Sequence, residues 1–137
     1  MTNSRQKGKA GELEAAHFLT SLFHQPVRRG QQFRGGADSP DVVGLDGLHI
    51  EVKRVQQLNL NIALEQSAQE AAPGEVPLVL HRANQQRWKI TLYAEDVLRF
   101  AAAVVKLRPP SFSAPCGAVQ SEPNPTKESS HVPHSQE

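Results

Sequence analysis

The sequence predicts an α/β sandwich around a mixed sheet, and three observations carry that expectation. Apolar residues recur at helical spacing between residues 4 and 24. Two apolar runs flank an Asp-Gly pair at residues 46 and 47. A helix, two strands and a closing helix then succeed one another in the pattern of residues 59 to 106.

Taken in order, Ser4 is placed to cap a helix running to about His24. Ala15, Ala16, Leu19, Leu22 and Phe23 form its apolar stripe, and Pro26 prevents the helix from continuing. A short strand around Val27 to Arg29 leads into Gly30 to Pro40, a polar, glycine-rich loop containing Arg34-Gly35-Gly36. Asp41 to Leu45 and Leu48 to Lys53 read as the arms of a hairpin turned by Asp46-Gly47. Asn59 or Asn61 caps a second helix to about Ala72, which Pro73-Gly74 ends. Val76 to His81 and Trp88 to Tyr93 are expected strands, separated by the polar turn Ala83 to Arg87. The last helix covers roughly Ala94 to Lys106, with Glu95 and Asp96 near its positive end. The domain is therefore drawn over residues 1–108. Residues 109–137, rich in Pro, Ser and Glu and poor in large apolar side chains, are expected to be a disordered tail.

A chain of 137 residues can bury one core without disulfides, and its single cysteine, Cys116, can form no internal bridge. A reducing, cytoplasmic location is the expectation. Neither a signal peptide nor a membrane-spanning run is visible. Net charge is only +1, which by itself calls for no polyanionic partner. Its distribution says more. Arg5, Lys7, Lys9, Arg28, Arg29 and Arg34 precede Asp41 against only Glu12, Glu14 and Asp38, so the amino-terminal part is locally basic and suited to DNA phosphates. Lys7, Gly8, Lys9 and Gly11 lie near the start of the first helix, where unpaired N–H groups favour phosphate. No base-reading helix is apparent, which favours recognition of DNA shape.

The hairpin holds the chemistry. Alternation along a strand puts Glu51 and Lys53 on one face and Ile50 and Val52 on the other. A three-residue loop with Gly47 in the left-handed conformation pairs Gly44 with Leu48 and Asp41 with Glu51. That register gathers Val42, Leu48, Ile50 and Val52 on the core side, and Asp41, His49, Glu51 and Lys53 on the other. Directly opposed carboxylates repel unless a cation lies between them. Mg²⁺ suits the arrangement, because it takes oxygen ligands and is often held by one or two carboxylates plus substrate phosphate. Glu12 adds an acid on the inward stripe of the first helix. Asp38 is a lesser candidate that would approach the metal through water.

Lys7-Gly8 with Glu12, Pro40-Asp41 and Glu51-Val52-Lys53 together resemble the PD-(D/E)xK nuclease superfamily, and more narrowly the archaeal-type Holliday junction resolvases and resolvase-like endonucleases of phages. The likeness spans about residues 4 to 106. It implies a restriction-endonuclease-like three-layer sandwich of order α-β-β-β-α-β-β-α. It also implies Asp41, Glu51 and the Val52 carbonyl as metal ligands, Glu12 as a supporting ligand, and Lys53 as the residue that orients water or stabilises the transition state. Gln66 resembles an accessory glutamine of some members, and His81-Arg82-Ala83-Asn84 followed by Trp88 resembles a segment of the phage proteins, with no role assigned to it. The activity implied is Mg²⁺-dependent DNA hydrolysis, with Mn²⁺ able to substitute, selective for branched DNA and carried out by a homodimer. The alternatives are a nicking or restriction-like nuclease on duplex DNA and a non-catalytic DNA-binding protein on a nuclease scaffold.

Overall fold

The computed structural model describes residues 4–31 and 39–107; Arg34, Asp38 and the segment expected to be a tail lie outside them. Among the described residues three helices and five strands succeed one another as α1 (Ser4–Phe23), β1 (Arg28–Arg29), β2 (Val42–Val43), β3 (Leu48–Arg54), α2 (Leu60–Glu70), β4 (Val76–Arg82), β5 (Lys89–Thr91) and α3 (Val97–Leu107). A single 3-10 turn, Ala94–Asp96, precedes α3 and replaces the first turn of the helix expected from residue 94. Helix α1 ends where His24 adopts a φ of 54°. The Thr20 hydroxyl then closes the next turn, donating to the Ala16 carbonyl at 2.8 Å and accepting from the Val27 N–H at 3.0 Å. Asn59 is the cap of α2, its Oδ1 accepting the Ile62 N–H.

Strands β3 and β4 run parallel over their whole lengths, from Leu48 opposite Val76 to Arg54 opposite Arg82, and β5 joins β4 antiparallel. A parallel pair needs a crossover connection, and α2 supplies it. The register sorts side chains onto two faces. Leu48, Ile50, Val52, Val76, Leu78 and Leu80 meet Ala15, Ala16 and Leu19 of α1, with Phe100, Ala103 and Leu107 of α3 beside them. Val79, on the opposite face, meets Ala63 and Leu64 of α2. The mixed three-stranded sheet is thus covered by α1 and α3 on one side and by α2 on the other.

Two expectations change. No ladder joins residues 41–45 to 48–53: β2 pairs instead with β1, Arg28 opposite Val43 and Arg29 opposite Val42. The cause is local. Gly44 takes a φ of 119° immediately after Val43, and a Cβ there would stand 2.4 Å from the Pro26 carbonyl oxygen, so the chain turns away after two extended residues. Gly47 is left-handed as expected, at φ 84°, but the turn is closed by the Leu48 N–H and the Leu45 carbonyl at 3.2 Å rather than by the Gly44–Leu48 pair of the bulged hairpin. The second is the position of Leu22 on α1, and burial along β3 adds what alternation alone leaves open. The acidic side of β3 is covered, with His49 1% and Glu51 4% exposed, because a strand paired in parallel and roofed by helices is buried on both faces. Leu22, expected on the core stripe of α1, is 52% exposed.

Candidate active site

Asp41 stands just before β2, anchored by its own carbonyl, which accepts the Gly30 N–H at 2.8 Å. Its side chain does what the missing ladder would have done: Oδ2 accepts the Val52 N–H at 2.8 Å. The N–H and C=O of one extended residue point to the same edge of a strand, so the Val52 carbonyl is directed to the edge where Asp41 lies. Burial pushes the Asp41 carboxyl up from 3.8 to about 7, and the negative charges of Glu51 and Glu12 push in the same direction against the Val52 hydrogen bond and Lys53. Three acids and one lysine therefore act on one another at this edge, brought together by a side-chain bond rather than by the expected ladder.

Each neighbour has a counter-charge. Lys53 Nζ donates to Glu51 Oε1 at 2.5 Å. Arg29, expected among the DNA-binding residues, donates its Nε–H to Glu12, so its charge is spent within the site. Glu14, two residues on, is clamped between Arg54 and Arg82, with the Arg54 contact at 3.2 Å. Arg82 lies 4.9 Å over the Trp88 ring, which stacks on Phe18 at 6.0 Å. This clamp ties α1 to the ends of β3 and β4, and nothing in the sequence announces it, since Glu14 and Arg82 are 68 residues apart.

A cavity of about 360 Å³ opens over the edge, lined by Ser4, Lys7, Gly8, Gly11, Glu12, Asp41, Val52, Lys53, Arg54 and Val55. Glu51 is not part of that lining. Arg5, Lys7, Lys9 and Arg28 are exposed, as phosphate contacts must be. Gln66 is half-buried and donates to Glu70 Oε1 at 3.2 Å, within α2. His81, buried enough to be held below its ordinary value with Lys89 adding to the effect, bonds the Thr91 hydroxyl at 3.0 Å and belongs to the β4–β5 pair.

Among the described residues no three His, Cys, Asp or Glu side chains form a group able to hold a metal ion alone. The donor set here is two carboxylates and a carbonyl, all oxygen, with one carboxyl destabilised as an anion by burial and by its acidic neighbours. That chemistry fits a hard divalent cation completed by water and substrate oxygens. No helix among the described residues is long and apolar enough to cross a membrane. Comparison with protein-family models, with curated proteins and with solved structures finds no match.

Proposed function

We propose that this protein is a metal-dependent endodeoxyribonuclease of the PD-(D/E)xK type, with a restriction-endonuclease-like core, acting on branched DNA. The observation that carries the reading is the convergence of Asp41 and Glu51 beside Lys53 at the edge of β3, with Asp41 held up to about 7 by burial and by Glu51. Acids that oppose one another in a cationic surround, under a cavity walled by Lys7 and Arg54, suit a cation on one side and a phosphodiester on the other.

Asp41, Glu51 and the Val52 carbonyl would hold Mg²⁺, with Glu12 in support; Mn²⁺ offers the same coordination. The ion supplies Lewis-acid neutralisation of the scissile phosphate. The protein's own groups do the rest. Lys53, whose Nζ donates to Glu51 in this structure, is placed to donate to the attacking water or to the phosphoryl oxygens on which negative charge develops. Lys7, Lys9 and Arg5, on the exposed first turns of α1, hold flanking phosphates. A twofold dimer would present one site to each strand of a four-way junction, and α3 offers exposed Val97, Leu98 and Val105 for such a contact.

The experiment compares four-way, forked and linear duplex substrates with Mg²⁺ and with EDTA. The reading expects metal-dependent cuts near the branch point, abolished by Glu51→Ala. Full activity in Glu51→Ala refutes the assigned site. Equal cutting of linear duplex points to a nicking or restriction-like enzyme, and binding without cutting in Mg²⁺ or Mn²⁺ to a non-catalytic DNA-binding protein.

A further inference from the structure

A second cavity, of about 370 Å³, adjoins the first and shares Lys7, Arg54 and Val55 with it; its remaining walls are Gln56 and Asn84. We infer that this second cavity is a subsite for the nucleotide next to the scissile phosphate, with Gln56 and Asn84 as its contact residues. The inference rests on the nuclease reading of the first cavity.

Three features support it. Size is the first: 370 Å³ falls within the ~300–1,000 Å³ of ordinary small-molecule sites. The shared wall is the second, since a strand lying over Asp41 and Lys53 and continuing past Lys7 and Arg54 reaches residues that line both spaces. Polarity is the third. Among the described residues the carboxylate paired with these walls is Glu14, which is neutralised by Arg54 and Arg82 together. Gln56 is anchored to the loop after β4: its Oε1 accepts the Asn84 backbone N–H at 3.3 Å, a bond that engages the oxygen of the amide and not its NH₂ donor. Arg82 Nη1 in turn holds the Gln86 carbonyl at 3.3 Å, keeping the loop after β4 in place. Lys7, Arg54 and the Gln56 amide thus present donors to one space, which matches the acceptor-rich phosphate and sugar of a nucleotide and does not match an acidic or apolar guest.

The test is Gln56→Glu, which keeps an oxygen for the Asn84 N–H while replacing the donor by a negative charge. Asn84→Asp adds the same charge from the neighbouring lining residue, on the loop after β4. Gln69→Glu, on the exposed side of α2, makes the identical change away from the cavity and serves as control. Circular dichroism and thermal melts establish that each variant is folded. DNA affinity is measured by fluorescence anisotropy, and KM and kcat are measured with Mg²⁺. The subsite predicts that Gln56→Glu and Asn84→Asp each raise Kd and KM about tenfold, less at high salt, while Gln69→Glu does neither. If wild type cleaves and all three variants match it, the subsite is overturned and the nuclease reading stands. If wild type neither binds nor cleaves DNA, the nuclease reading falls and the subsite with it.

Discussion

The Asp41 carboxylate accepts the Val52 backbone N–H at 2.8 Å, so a side chain closes the edge of β3 where a neighbouring strand would otherwise pair. An acid placed this way is fixed by the backbone it caps, yet is surrounded by low-dielectric protein and by two further acids. Its ionisation is consequently coupled both to stability and to any cation that arrives.

That coupling has a definite sign. The folded-state value of Asp41, about 7, lies above the ordinary 3.8, so between those values the folded protein keeps a proton that the unfolded chain has released. Metal-free stability should fall as pH rises from about 4 to about 7 and then level. Urea denaturation in EDTA at pH 5 and pH 8 checks this. Asp41→Asn, which keeps an acceptor for Val52, should flatten the profile and at pH 8 stabilise the metal-free protein by about 1–2 kcal/mol, solvent screening of the partly exposed carboxyl keeping the gain small.

Adding Mg²⁺ should reverse the penalty. At pH 8 the ion should raise the melting temperature of wild type, and it should do so far less at pH 5, where the proton occupies Asp41. Neither Asp41→Asn nor Glu51→Gln should show the full shift. A Mg²⁺ response unchanged in both variants would place the cation elsewhere.

Lys53 is the residue whose loss separates chemistry from metal binding. Lys53→Ala should lower the cleavage rate by about two orders of magnitude or more, while a Mg²⁺ titration read by melting temperature remains near wild type. A variant that loses both together would make Lys53 a support for Glu51 rather than a participant at phosphorus.

The clamp on Glu14 is a structural commitment. Glu14→Ala leaves the half-buried Arg82 guanidinium without its carboxylate and should destabilise the protein by about 1–2 kcal/mol in urea. Because Arg54 borders both cavities, DNA affinity should change as well, and anisotropy would register it.

Gly44 tests the backbone account of β2. Gly44→Ala must place a methyl against the Pro26 carbonyl at a φ of 119°, so a loss of about 2 kcal/mol or more is expected from thermal melts. An alanine tolerated at no cost would mean that the turn after Val43 is not what keeps β2 short.

Much of this molecule was legible in one dimension. The spacing of Ala15, Ala16 and Leu19, the Asn59 cap, Pro73-Gly74 and the alternation of Leu48, Ile50 and Val52 placed every element within a few residues, because caps, turn residues and periodicity are local physics. Glu51 and Lys53 were singled out by strand alternation, Asp41 by the register of a bulged hairpin that does not form, and Glu12 by its place on the apolar stripe of the first helix. Only the tertiary structure decided how they meet. Whether β2 would pair with β3 or β1 turned on the contact between Gly44 and Pro26, which brings together residues 18 apart. Whether Arg29 would face DNA or Glu12, and whether His49 and Glu51 would be exposed or lie under α2, depended on elements far along the chain. Local preference is a property of a few neighbouring residues, whereas a strand's partner and an ion's counter-charge are set by whichever distant segment packs against them, and that choice is made by the fold as a whole.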